Sequence, residues 1–180
     1  MSRPNPNVLF MLALMFIATS AVAQDFPEPP QLEFAFEVQV QVADPVVVAE
    51  LPSGQTRRII DILGGTAKGP ALEGEVLPGG ADWQLIRRSD GFTDIDARYT
   101  IRTDEGHLIY VSNIGIRHAS PDVMEKLNAG ETVDQSQIYF RAVPKFETDA
   151  PGLEWMLNHV FVSTGERYPN GVVIRFWKVL

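Results

Sequence analysis

The chain has 180 residues and a formal net charge of −8, from 15 Lys and Arg against 23 Asp and Glu, and it contains no Cys. That length suits one domain. The acidic balance opposes nucleic-acid binding, which needs basic groups to replace phosphate counterions, and it opposes docking on anionic lipid headgroups. The missing thiols exclude disulfides, thiolate zinc sites and lipid attachment through an N-terminal Cys.

Residues 1–23 read as an export signal. Arg3 gives a weakly positive start, residues 8–17 are an unbroken apolar run, and Ala21-Val22-Ala23 is a small-x-small cleavage site. The apolar run is too short for a membrane-spanning helix, which takes about 20 residues. Cleavage after Ala23 is expected to leave a protein free in the periplasm, with no stable membrane anchor. Residues 24–31 form a proline-rich linker, with Pro27, Pro29 and Pro30, and residues 32–180 form the folded domain.

The first strand is the clearest element. Leu32, Phe34, Phe36, Val38, Val40 and Val42 alternate with Glu33, Ala35, Glu37, Gln39 and Gln41. That is the period of a strand with one buried face. Phe34, Phe36, Val38 and Val40 are expected inside, and Glu37 and Gln39 outside. Asp44-Pro45 ends the run. Further strands are predicted at 57–63, 72–77, 83–88, 93–103, 108–116, 137–148, 160–163 and 172–179, separated by turn residues such as Gly64-Gly65, Gly79-Gly80, Asp90-Gly91 and Asn170-Gly171. One short helix is predicted from Pro121 to Ala129. Ser120 stands at its cap, Asp122 in its first turn and Gly130 at its stop, while Val123 and Leu127 share a face that would close one barrel end. The pattern is all-β: a single closed antiparallel barrel of about 8–9 strands with one short helix.

From Gly64 onward the chain resembles a known family. The segment Gly64-Gly65-Thr66, Gly69-Pro70, Leu72, Gly74 and Val76 to Trp83 is similar to the hallmark of the domain of unknown function 3237. The likeness continues through Asp96-Ala97-Arg98-Tyr99, Asn113, Arg117-His118, Tyr139-Phe140-Arg141, Phe146-Glu147-Thr148 and Asn158. The resemblance implies a compact antiparallel β-barrel of bacterial origin and no settled activity. The family pattern has Pro where this chain has Asp61, and often Gly where it has Ser163.

No motif of nucleotide or metal chemistry accompanies these strands. The glycine-rich stretch lacks a Gly-Lys-Ser/Thr ending and runs between strands. It reads as backbone shape, or as N–H groups facing an anionic or carbonyl ligand. His107, His118 and His159 have no metal-ligand spacing, and there is no Gly-x-Ser-x-Gly elbow. No metal and no cofactor are expected. On strand 93–103, Asp94, Asp96, Arg98, Thr100 and Arg102 share a face, which is either a solvated outer wall or the lining of a wide interior. Arg141 lies between Tyr139 and Val143 on its face, and its fork suits a carboxylate.

The candidate site is therefore one barrel mouth. Asp96 stands as general base and Glu147 as its acid partner, with Asp82, Trp83, Arg98, Arg141, Trp155 and Asn158 as ligand-binding groups. The ligand would be a small molecule with a carboxylate or carbonyl. Three functions remain open: a lyase, isomerase or hydrolase without a cofactor, a lipocalin-like carrier, and a small outer-membrane barrel. The oligomeric state is not legible.

Overall fold

The computed structural model describes residues 27–169 and 171–180. The expected export signal and its cleavage site lie outside the described residues, as does Asn170 of the last predicted turn. Ten strands follow in order: β1 (Leu32–Val42), β2 (Val46–Glu50), β3 (Gln55–Lys68), β4 (Glu73–Val76), β5 (Gly80–Arg87), β6 (Thr93–Thr103), β7 (Leu108–His118), β8 (Tyr139–Glu147), β9 (Phe161–Tyr168) and β10 (Gly171–Val179). The helix α1 (Pro121–Asn128) joins β7 to β8, and two 3₁₀ turns cover Gln135–Gln137 and Glu154–Leu157.

All pairings are antiparallel, and β1 bonds both β10 and β3, which closes an eight-strand barrel. The two extra strands arise because two walls are each made of two pieces. β2 prolongs β1 past Asp44-Pro45, and β4 and β5 divide the space between β3 and β6.

Gly64-Gly65, expected as a turn, instead lies inside β3. There β3 exchanges one pair of neighbours for another: β5 and β2 before it, β4 and β1 after it. The reason for glycine is contact. A Cβ on Gly65 would stand 2.1 Å from the Gln39 carbonyl oxygen, so only glycine lets β1 and β3 come together and seal the barrel. β2 is an addition to the predicted elements. Val46, Val47 and Val48 are all exposed, so the strand shows no alternation to read.

The interior is apolar along most of its length. Phe36, Val38, Ile101, Ile109, Val111, Phe161 and Phe176 are almost wholly buried. Phe34 departs from expectation. A register shift between Phe34 and Phe36 buries both Ala35 and Phe36 and sets Phe34 against Trp177, with ring centroids 5.2 Å apart. One extra residue in a strand reverses the facing of everything before it. α1 buries Met124 and Leu127 into the core. It packs beside Gly91 in the β5–β6 turn.

The outer wall mixes charged and apolar residues. Asp94, Arg98 and Arg102 on β6 and Arg141, Lys145 and Glu147 on β8 are exposed, beside exposed Ile114 on β7 and Val143 on β8. Charges spread along these strands do not suit the apolar outer band of a membrane barrel.

Candidate functional site

The two ends of the barrel differ in chemistry. One is packed with rings: Phe36 stacks on Phe176 at 4.6 Å, and Phe146 meets Phe161 at 5.0 Å. Trp155, in the second 3₁₀ turn, lies 5.6 Å from Phe161 and covers that end. The other end, where β7 finishes and β8 begins, holds a cavity of about 50 Å³. Its walls are apolar, from Val40, Ile60, Ile62, Ile95 and Ile174, but Asp82, Arg117, Arg167 and Tyr99 stand among them, with the Arg58 charge close behind.

Strand parity puts them there. Arg58 is in phase with buried Ile60 and Ile62 on β3, Arg117 with Ile109, Val111 and Asn113 on β7, and Arg167 with Phe161 and Ser163 on β9. A residue two positions on from an inward side chain also faces inward. Gln135 then fixes the end of β9, accepting from the Arg167 N–H at 2.9 Å and donating to its carbonyl at 2.8 Å.

A chain of hydrogen bonds links part of the cluster. Arg58 donates from Nε (3.1 Å) and Nη2 (2.6 Å) to Gln84 Oε1. Gln84 Nε2 donates to Asp82 Oδ2 at 2.5 Å, and the Asp96 backbone N–H donates to Asp82 Oδ1 at 3.3 Å. Deeper in, Ser163 Oγ donates to Asn113 Oδ1 at 3.1 Å. Arg117 is 1% exposed and stands 6.0 Å from the Phe140 ring. Its Nε and Nη2, Nη1 of Arg167 and the hydroxyl of Tyr99 have no hydrogen-bond partner among the described residues.

The electrostatics follow from this crowding. Burial pushes the Asp82 carboxyl above its ordinary value, against the opposing pull of the Gln84 hydrogen bond, the Arg117 charge, the Asp96 N–H and Arg58. Burial, then the like charges of Arg167 and Arg58, lowers Arg117 to about 9, with Asp82 pulling the other way. Burial and Arg167 lower Arg58 to about 10. Burial also lowers Arg167 and raises Tyr99. All three guanidinium groups therefore stay charged at neutral pH, facing one carboxyl. Among the described residues, no three His, Asp or Glu side chains are grouped to hold a metal ion.

Of the residues expected at the site, the structure brings only Asp82 to this cavity. Trp83 turns outward, 37% exposed. Asp96 and Arg98 pair with each other on the outer wall at 2.8 and 3.1 Å. Arg141 is also outside, over the Tyr139 ring and donating to the Phe140 carbonyl at 2.8 Å. Glu147 is exposed at the far end of β8. Trp155 and Asn158 belong to the ring-packed end, where Asn158 Nδ2 donates to the Glu154 carbonyl at 3.0 Å. Asp96 and Arg141 thus do not share a cavity, because odd and even positions of a strand face opposite ways and theirs face out. Sequence reasoning passed over Arg58, Arg117 and Arg167 as a set.

A closed antiparallel barrel with arginines and one carboxyl set in a mostly apolar cavity at one end is the class of fold these strands define. The family described as protein of unknown function (DUF3237) matches residues 30–179, and the chain belongs to it. A UPF0311 protein of Rhodopseudomonas palustris is 40% identical over 153 residues, covering 84% of this chain and 99% of the relative. The crystal structure of a conserved protein of unknown function from R. palustris superposes with a TM-score of 0.80 at 37% identity, covering 86% of this chain and 100% of that one. A β-barrel-like protein of Acinetobacter baumannii gives 0.74 at 35% identity, covering 87% of this chain and all of that one. A protein of Penicillium herquei named a hydroalkoxylation enzyme is 30% identical over 103 residues, 57% of this chain and 66% of that protein. The solved structure of an enzyme from P. herquei shares the fold, with a TM-score of 0.64 at 19% identity, over 87% of this chain and 98% of that one.

Proposed function

We propose that the barrel is an acid–base catalyst for a small organic molecule, of the lyase, isomerase or hydrolase type, with its site in the interior cavity. The observation that carries this reading is the enclosure of Asp82 beside Arg117 in one cavity. A carboxyl whose proton is held above its ordinary range can deliver that proton and take it back. Guanidinium donors fixed in an apolar wall can stabilise the oxygen on which negative charge develops. Asp82 is the proton carrier, and Arg117 with Arg167 holds the reacting molecule. The partial likeness to a hydroalkoxylation enzyme supports the same chemistry. Adding an O–H across C=C requires one proton delivered to carbon and one lost from oxygen as the C–O bond forms. Residues 1–23 would carry the protein to the periplasm, where the cavity would meet its substrate.

The test is solvent deuterium exchange. Keto acids and alkenyl phenols are incubated with the protein in D₂O and followed by NMR. The wild type should incorporate deuterium at carbon, and Asp82→Asn should slow this by about 10²-fold or more. Equal rates in both proteins would remove Asp82 from the chemistry. Binding with neither exchange nor hydrolysis of the matching esters by the wild type would make the barrel a carrier, a reading that the mostly apolar wall of the cavity also suits.

A further inference from the structure

The hydrogen bonds of the cavity leave a one-sided remainder. Asp82 has both oxygens engaged, one by Gln84 and one by the Asp96 N–H. Arg58 directs Nε and Nη2 to Gln84. What lacks a partner is Nε and Nη2 of Arg117, Nη1 of Arg167 and the Tyr99 hydroxyl. Guanidinium groups can only donate, and the hydroxyl can do so as well. A molecule completing this set must present acceptors, and in a cavity lined by two cations and one acid it gains by being an anion.

The free edge of Arg117 narrows the choice. Nε–H and Nη2–H point the same way, side by side. Arg58 sets that edge on the one oxygen of an amide, but two arginines of the outer wall set it on both oxygens of a carboxylate. Arg87 uses it on Asp90, Nε to Oδ1 at 2.8 Å and Nη2 to Oδ2 at 2.7 Å. Arg98 uses it on Asp96 in the same way. In both, two parallel N–H groups meet the two oxygens of one carboxylate. Arg117 offers the same fork inside the barrel, and among the described residues no acid sits upon it.

The geometry points to a carboxylate ligand: a small carboxylic acid seated with its two oxygens on Nε and Nη2 of Arg117, with Arg167 Nη1 and the Tyr99 hydroxyl as further donors. This deepens the reading of the cavity as a small-molecule site and rests on it. A cavity of about 50 Å³ takes the carboxylate and little more, so the rest of a larger acid would lie toward the open end.

Acetate is the probe, with acetamide as its neutral isostere and chloride as a spherical anion, each titrated into the full chain by calorimetry at neutral pH. Acetate should bind saturably, with acetamide and chloride at least about 10-fold weaker. Arg117→Lys, which keeps the charge but loses the fork, should weaken acetate by about 10-fold or more, and Arg117→Met should abolish it. Arg102→Met, on the outer wall beside Glu75, should change nothing. In the unmutated protein the Arg117 Nε–H NMR resonance should move on acetate addition, a readout that needs no variant to fold. Acetamide or chloride binding as well as acetate, full acetate affinity in Arg117→Lys, or an unmoved Nε–H resonance would each overturn the assignment. The catalytic reading fails separately. Acetate binding with neither deuterium exchange nor ester hydrolysis leaves the carboxylate site standing and the catalyst excluded, and exchange without acetate binding does the reverse.

Discussion

Arg117→Met should make the empty barrel more stable, although it removes a charged residue that faces Asp82 in the interior. Arg117 is 1% exposed, two of its donors lack partners, and the charges that lower its proton affinity are Arg167 and Arg58. Replacing a buried ion by an apolar side chain of similar length is often neutral or stabilising by about 1–4 kcal/mol. Against this, Asp82 loses one attraction but keeps Gln84, the Asp96 N–H and Arg58. The net gain should be about 1–3 kcal/mol, each kcal/mol raising Tm by about 2–4 °C in a domain of this size. Urea unfolding at pH 7 in low-carboxylate buffer measures it. The pH dependence checks the cause. Since the folded-state value of Arg117 lies near 9, well below its ordinary value, the folded protein binds fewer protons than the unfolded chain between those limits. The penalty is complete below about pH 9 and shrinks as pH rises above it. The gap between variant and wild type should therefore be constant from pH 6 to 8 and narrower at pH 10. A variant less stable than wild type by 1 kcal/mol or more, or a gap that widens with pH, would refute the reasoning.

Other changes probe the scaffold and its export. Phe36→Ala should cost about 3–5 kcal/mol, because the ring is wholly buried and stacked on Phe176; a loss near zero in urea unfolding would contradict the packing at the closed end. Gly65→Ala should cost about 2 kcal/mol or more and speed amide hydrogen exchange along the β1–β3 seam, since its Cβ meets backbone and no flexible side chain; unchanged exchange would mean that the seam does not depend on this contact. N-terminal sequencing of exported protein should begin at Gln24, and a mature chain retaining Met1 would remove the export reading.

Most of the barrel was legible because its strands alternate. β6 begins and ends where Thr93 and Thr103 predict, and its charged face stands outside. The misreadings have local causes. Phe34 follows a period that a bulge interrupts, Gly64-Gly65 serves a close approach between strands far apart in sequence, and β2 has no apolar-polar contrast. The site was less legible for a different reason. Asp96 and Arg98 drew attention as an acid and a base together, yet two such groups on one face of a strand can satisfy each other, and here they do. The more telling signal was a cation in phase with apolar residues. Arg117 follows Ile109, Val111 and Asn113 at intervals of two, and Arg58 precedes Ile60 and Ile62 in the same way. Parity alone would have placed both inside. What it could not show is that three different strands aim their arginines at one end.

The acidic composition also conceals the sign of the interior. A net charge of −8 belongs to the whole chain, and water screens most of it at the outer wall. Inside, Arg58, Arg117 and Arg167 face the carboxyl of Asp82 behind apolar walls, where charges are screened far less. An anion that gains nothing from the outer surface can therefore be held firmly within. The two ends of the barrel divide the work that makes this tolerable. The stacked phenylalanines and Trp155 at one end hold the sheet closed by burial of apolar surface. That stability lets the other end keep unpartnered guanidinium groups that a barrel selected for stability alone would replace. A buried cation with open donors is a standing penalty in the empty protein, and the proposed carboxylate would relieve it. The same residue that weakens the fold would then supply the binding energy for that ligand.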